Sequence, residues 1–394
     1  MNYNINQNLL NSVESPIKIS KDWIPQNSQS IINLSQGVPS EPPHFLLREL
    51  SDVSSQPSSY KYGDIRGYVP FRNSFKDDIN TQYQSDISIN NVQITSGCNS
   101  AFYMVLIGLM RPNCNIVIQS PYYFNHKMTV DQLGVHSRYL PSDSNNSFIP
   151  NPQDVSGLVD ENTVAVVLIS PNNPTGTSIP PNVISDIHSI CTKSDIPLII
   201  DETYRSFSHF DKPHNLLSSD GLKNLISLHS FSKDTALPGA RLGAIVASED
   251  FLLQMEKVAD CFQICPQMVA QIALSNVYSN LSEFKKEQSK SLIEKHKVLA
   301  KIINSLSNGW SISSAGAYYA YVKYPYNINS IQVAETLAKK FGLIVLPGSF
   351  FTNNSTSNDN FHLRISVANV NIEMLEKSFE KLKAFDECIL HNSN

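Results

Sequence analysis

Between residues 115 and 248 the chain repeats one pattern: a short run of apolar residues, a turn-forming cluster, then a longer stretch with apolar residues at helical spacing. The runs NIVIQ (115–119), TVAVVLIS (163–170), IPLIID (196–201), LISLHS (225–230) and LGAIVAS (242–248) read as buried strands. Between the second and third of them lies PPNVISDIHSICTKS, where Val183, Ile184, Ile187, Ile190 and Cys191 recur at helical spacing behind prolines suited to a helix start. Strand, helix, strand in that order implies right-handed crossovers and a largely parallel sheet covered on both faces. The fold class is therefore α/β.

From about Gln267 the pattern changes. The stretch QMVAQIALSNVYSNLSEFKKEQSKSLIEKHKVLAKIINSL predicts one very long helix or two consecutive ones, after which strands such as AYYAYVKY alternate with the helix IQVAETLAKKF. A chain of 394 residues is long enough for two domains. The turn-rich residues 1–50 cannot make a core alone and are expected to pack on the C-terminal domain or reach toward a neighbouring subunit. Residues 51–285 then form a large domain, and 286–394 a smaller one. Ser/Asn-rich stretches near 141–147 and 352–360 read as exposed loops.

Composition narrows the function. Hydrophobic residues make up 41% and the net charge is only -5, with no basic face of the kind a nucleic-acid binder shows. The N-terminal MNYNINQNLLNSVESPIKIS lacks the basic start and continuous apolar core of a signal peptide. No later apolar run reaches the roughly 18 residues of a membrane span. A cytoplasmic protein is the expectation. The cysteines at 98, 114, 191, 261, 265 and 388 are scattered without CxxC pairs or companion histidines, so neither a disulfide framework nor a metal site is expected.

In a sheet of this kind chemistry gathers beyond the carboxyl ends of the strands. Four unusual stretches fall there: TSGCNSAF (95–102), SPNNPTGTS (170–178), DETYRSF (201–207) and SFSKDTALPGAR (230–241). Singly, each has an ordinary reading: a Gly turn into a helix, a Pro/Asn turn, a capping Asp, an exposed lysine.

Together they resemble the class I and II aminotransferase family, the fold type I enzymes that use pyridoxal phosphate. The resemblance covers nearly the whole chain, from NLSQGVPSEPP (33–43) through YKYGDIRGYVPFR (60–72) and SPYYFNH (120–126) to LPGSFF (346–351) and FHLRISVAN (361–369). It implies a large domain with a mostly parallel seven-stranded sheet sandwiched by helices, aspartate-aminotransferase-like, plus a smaller α+β domain. It also implies a homodimer that moves an amino group from an L-amino acid to a 2-oxo acid, most plausibly 2-oxoglutarate.

The same resemblance assigns roles. Lys233 matches the lysine that forms an imine with the cofactor aldehyde and then moves protons, a task that requires an amine able to lose its proton near neutral pH. Asp201 matches the carboxylate that keeps the cofactor's ring nitrogen protonated. Tyr204 and Asn173 match the partners of the ring hydroxyl, and Tyr123 the aromatic stacked on the ring. Gly97, Cys98 and Asn99 open a helix whose amides would meet the phosphate. Ser230 and Arg241 match further phosphate ligands, and Tyr62 is expected to reach across from a second subunit. Arg364 occupies the place of the arginine that pairs with the substrate carboxylate, with Gly37 and Asn173 nearby.

Two positions stay open. His126 could touch substrate or serve the structure, and the effect of Asp234 on the neighbouring lysine is undetermined. Two rival functions are weighed. A lyase on the same scaffold differs only in the fate of the substrate. A regulator would carry a winged-helix DNA-binding domain ahead of this one, and NLSQGVP begins only 33 residues in.

Overall fold

The computed structural model describes residues 3–25, 30–39, 41–218, 220–306, 309–353 and 361–392. A seven-stranded sheet runs in the order Val92–Thr95, Gly243–Val246, Leu225–Ser230, Leu198–Asp201, Thr163–Ile169, Asn115–Ser120, His136–Pro141. Gly243–Val246 is antiparallel to both neighbours, and the other pairings are parallel.

Successive side chains of a strand point to opposite faces. Val166, Leu168, Leu198 and Ile200 accordingly enter one core, while Ala165, Val167, Ile199 and Leu228 enter another on the far side. Burial on both faces is why these runs are apolar throughout instead of alternating. Between two of the strands, the helix Pro181–Lys193 buries Ile184, Ile187 and Cys191 against the first core.

A four-stranded sheet in the order Leu346–Pro347, His362–Ser366, Tyr319–Lys323, Ser311–Gly316 is antiparallel throughout. Its core also takes residues from the helices Leu281–Ser305, Ser330–Phe341 and Ile372–Asn392. The N-terminal stretch joins this part of the molecule: Ile32–Asn33 pairs parallel with Leu343–Ile344, and Ile32 and Leu34 are buried there.

The long helical stretch resolves into two helices, Met268–Val277 and Leu281–Ser305, joined by the 3-10 turn Tyr278–Asn280. Leu281 packs in the large-sheet core, whereas Leu292, Leu299 and Ile303 pack in the other. Of the Ser/Asn-rich stretch 352–360, residues 354–360 lie outside the described residues. Among the described residues no helix is long and apolar enough to cross a membrane, and no cluster could hold a metal ion. All six cysteines are free.

Candidate active site

A cleft of about 250 Å3 opens beyond the carboxyl ends of the large sheet's parallel strands. Of the residues singled out in the sequence, Gly37, Cys98, Asn99, Tyr123, Asn173, Asp201, Tyr204, Ser230, Lys233, Arg241 and Arg364 line it. Residues as far apart in the chain as Gly37 and Arg364 thus meet in one site.

One end is built for an anion. Strand Val92–Thr95 turns through Gly97 into the helix Cys98–Leu109. Gly97 has φ +97°, a conformation that suits glycine, and a Cβ there would stand 2.4 Å from Arg241 Nη2. Arg241 is itself left-handed at φ +51° and donates from Nη1 to the Pro238 carbonyl at 2.7 Å. Ser230 caps the short helix Phe231–Asp234, its Oγ accepting from the Ser232 amide at 3.2 Å. Helix-end amides, a guanidinium and the serines Ser230 and Ser232 therefore converge on this end. The sequence reading missed Ser232, whose only signal is a hydroxyl next to Lys233.

Deeper in the cleft stands Asp201, 4% exposed at the end of its strand. The Thr203 amide donates to its Oδ1 at 2.9 Å, and His126 Nε2 lies 3.1 Å from its Oδ2. Burial alone would raise this carboxyl's pKa. The partners His126 and Thr203 outweigh it and hold the pKa below the ordinary value, so Asp201 is a carboxylate. His126 does not line the cleft. It is buried behind Asp201, stacked on Phe102 with ring centres 4.1 Å apart, which favours the structural alternative. Burial first, and then the charge of Asp201, push the Cys98 thiol far up, so it stays neutral.

Lys233 donates from Nζ to the Gly37 carbonyl at 2.5 Å. Burial, then the positive charges of Arg364 and Arg241, lower its pKa from 10.5 to about 8 against the opposing pull of Asp201. Gly37 is fixed by space, since a Cβ there would sit 2.0 Å from the Tyr319 hydroxyl oxygen. That hydroxyl shares a 2.8 Å hydrogen bond with Tyr204. Tyr319 lines the cleft and was missed in the sequence, where AYYAYVKY reads only as a strand.

Arg364 is 2% exposed. It donates from Nη1 to Asn173 Oδ1 at 2.9 Å and from Nη2 to the Ser35 carbonyl, while Nε is buried without a partner among the described residues. Its guanidinium carbon lies 4.5 Å from the Tyr319 ring centre and 5.1 Å from that of Phe351. Flat aromatic neighbours of this kind fix the plane of the guanidinium fork.

Two residues stand apart. Tyr62 is 83% exposed and does not line its own chain's cleft. Asp234 is buried; it accepts from Ser206 Oγ at 3.2 Å and pairs with Lys285 at 3.2 Å. Lys285 also reaches Asp78, at 3.4 Å, so Asp234 ties the Lys233 turn to the helix Leu281–Ser305.

Comparison with known proteins shows the class of chemistry. The family model "Aminotransferase class I and II" matches residues 29–382, and the chain belongs to that family. It is accordingly a pyridoxal-phosphate-dependent aminotransferase, acting on amino acids and 2-oxo acids. An aromatic aminotransferase of Arabidopsis thaliana is 25% identical over 369 residues, covering 91% of each chain. An aspartate aminotransferase of Thermotoga maritima is 24% identical over 365 residues, 91% of this chain and 92% of that one. Among solved structures, the aspartate aminotransferase from Thermus thermophilus with maleate superposes with a TM-score of 0.87 at 19% identity, covering 97% of this chain and 100% of that chain. The aromatic aminotransferase from Pyrococcus horikoshii gives 0.84 at 21% identity, with 95% and 99% covered. These likenesses establish the aspartate aminotransferase-like fold.

Proposed function

We propose that this aminotransferase binds its cofactor covalently through Lys233 and uses the same amine to move a proton as the amino group passes from an L-amino acid to a 2-oxo acid. The residues of the cleft suit pyridoxal phosphate. Gly97, whose Cβ would meet Arg241, lets the guanidinium come close to the helix start. Ser230, Arg241 and the amides at Cys98 and Asn99 would hold the phosphate. Tyr123 would face the ring, with Tyr204 and Asn173 at its hydroxyl.

When bound, pyridoxal phosphate supplies an electron sink for the pair left at the substrate's α-carbon. Asp201, ionised despite burial, would keep a proton on the ring nitrogen. Arg364 would take the α-carboxylate in its planar fork and so orient the bond to be broken. Lys233, with its pKa brought down to about 8, can accept the α-proton near neutral pH and release it at the cofactor's aldehyde carbon. Gly37 would place its backbone beside the substrate carboxylate.

The observation that carries this proposal is the opening of the Lys233 amine, the Asp201 carboxylate and the Arg364 guanidinium onto one cleft. The resemblance suggests 2-oxoglutarate as acceptor, a cytoplasmic setting and a homodimer in which exposed Tyr62 reaches the phosphate end of the neighbouring copy. The three segments 1–50, 51–285 and 286–394 are retained as its organisation. Adding an L-amino acid to cofactor-loaded protein without any acceptor should bleach the cofactor band and release one equivalent of 2-oxo acid. Continued turnover without an acceptor would mark a lyase instead.

A further inference from the structure

Asp234 directly follows Lys233 yet does not line the cleft. It is 4% exposed, so its surroundings come from this chain alone. Oδ2 accepts from Ser206 Oγ at 3.2 Å and lies 3.2 Å from Lys285 Nζ, whereas Oδ1 is buried with no hydrogen-bond partner among the described residues. Lys285 also reaches Asp78, 3.4 Å away. Asp78 in turn pairs with Arg205 at 2.6 Å and accepts from the Tyr278 hydroxyl at 3.1 Å.

These groups join four segments. The helix Val69–Tyr83 carries Asp78, the turn after Tyr204 carries Arg205 and Ser206, the short helix Phe231–Asp234 carries Lys233 and Asp234, and the helix Leu281–Ser305 carries Lys285. That last helix packs Leu281 in the large-sheet core and Leu292, Leu299 and Ile303 in the core of the smaller sheet. The turn is held from the smaller sheet's core as well, because the Tyr318 hydroxyl donates to the Lys233 carbonyl at 3.1 Å. The backbone at the reacting amine is thus fixed to other elements, which leaves motion of the amine to its own side chain.

A buried carboxyl with one oxygen left unpaired is costly, and an apolar pair of the same shape is often the more stable packing. Stability alone therefore does not account for Asp234, whereas precision of place does: a displacement of about 1 Å at a catalytic group can cost on the order of 100-fold in rate. Resting on the transaminase function proposed above, we infer that Asp234 is a positioning residue for Lys233. Through Lys285 and Ser206 it fixes the turn from which the amine reaches the substrate's α-proton.

The test uses cofactor-loaded wild type, Asp234→Asn, Lys285→Met and the double variant. Asparagine keeps the shape and the acceptor for Ser206 and removes the charge facing Lys285. The probe is whichever of the protein L-amino acids the wild type deaminates fastest, supplied with hydrogen or deuterium at the α-carbon, and the first half-reaction is followed by the cofactor band. Each single variant should keep the resting band and the half-saturating concentration, and lose about tenfold in the saturating rate constant. The isotope effect on that rate should be at least as large as in the wild type. Because both changes break one link, the double variant should lie within about twofold of the slower single variant.

A wild-type rate in either single variant overturns the inference and leaves the transaminase function standing. So does a loss that falls on the half-saturating concentration, on retention of the band, or on a rate with a smaller isotope effect, since the link would then serve binding, the fold or another step. A double variant slowed by the product of the two single losses overturns it too, because the residues would be acting independently. If no amino acid alters the wild-type band, both readings fall.

Discussion

The hydroxyls of Tyr204 and Tyr319 share a 2.8 Å hydrogen bond, and the Tyr319 ring lies against Arg364 at 4.5 Å. One side chain thereby connects the group assigned to the cofactor's hydroxyl with the group assigned to the substrate's carboxylate. Tyr319→Phe removes the hydrogen bond and keeps the ring. A neutral hydrogen bond is worth about 1 kcal/mol, so kcat should fall roughly fivefold while the KM for the amino acid changes little. A rise in KM as large as the fall in kcat would mean that the hydroxyl serves substrate binding instead.

Lys233 should give the cofactor-free protein a distinctive pH dependence. Its pKa is lowered in the folded chain from 10.5 to about 8, so between those values the unfolded chain binds the proton and the folded chain does not. Stability should therefore rise with pH across that window from this group. Denaturant melts of wild type and Lys233→Met at pH 8 and above check it: the variant should lack the wild type's rise.

Asp201→Ala should retain cofactor and lose on the order of 100-fold in kcat, as losses of preorganised electrostatic support commonly do. Single-turnover kinetics on the loaded variant supply the number. Wild-type turnover would remove Asp201 from the chemistry.

Arg364→Ala should leave the cofactor spectrum intact and weaken the half-reaction with amino acids by at least about 1.5 to 3 kcal/mol, the range for a hydrogen bond to a charged group. Lysine at this position should rescue only in part, because a point charge lacks the two-pronged geometry. Amines lacking the carboxylate are the control and should lose little further in Arg364→Ala. Equal losses for amino acids and matching amines would assign Arg364 to the fold or the cofactor.

What could be read in the sequence was what local pattern determines. Val166 and Val167 face opposite cores, and this two-sided burial is what a continuous apolar run encodes. Lys233, Asp201 and Arg241 sit in short stretches whose composition is unusual in itself. Tyr319 was hidden because its strand pattern says nothing of Gly37, which meets it from 282 residues away in the chain. Ile17 was hidden likewise: on a short N-terminal helix it becomes part of the cleft wall only because it packs against Phe124. His126 and Asp234 stayed ambiguous because their surroundings are supplied by distant partners, Phe102 and Asp201 for one and Lys285 for the other.

The most direct test of the whole account is where the cofactor is attached. Protein loaded with pyridoxal phosphate, reduced with borohydride and digested, should yield one modified peptide by mass spectrometry, with the pyridoxyl group on Lys233. Lys233→Ala should carry no reducible cofactor. A pyridoxyl group on another lysine of the wild type, or a reducible cofactor retained by Lys233→Ala, would contradict it.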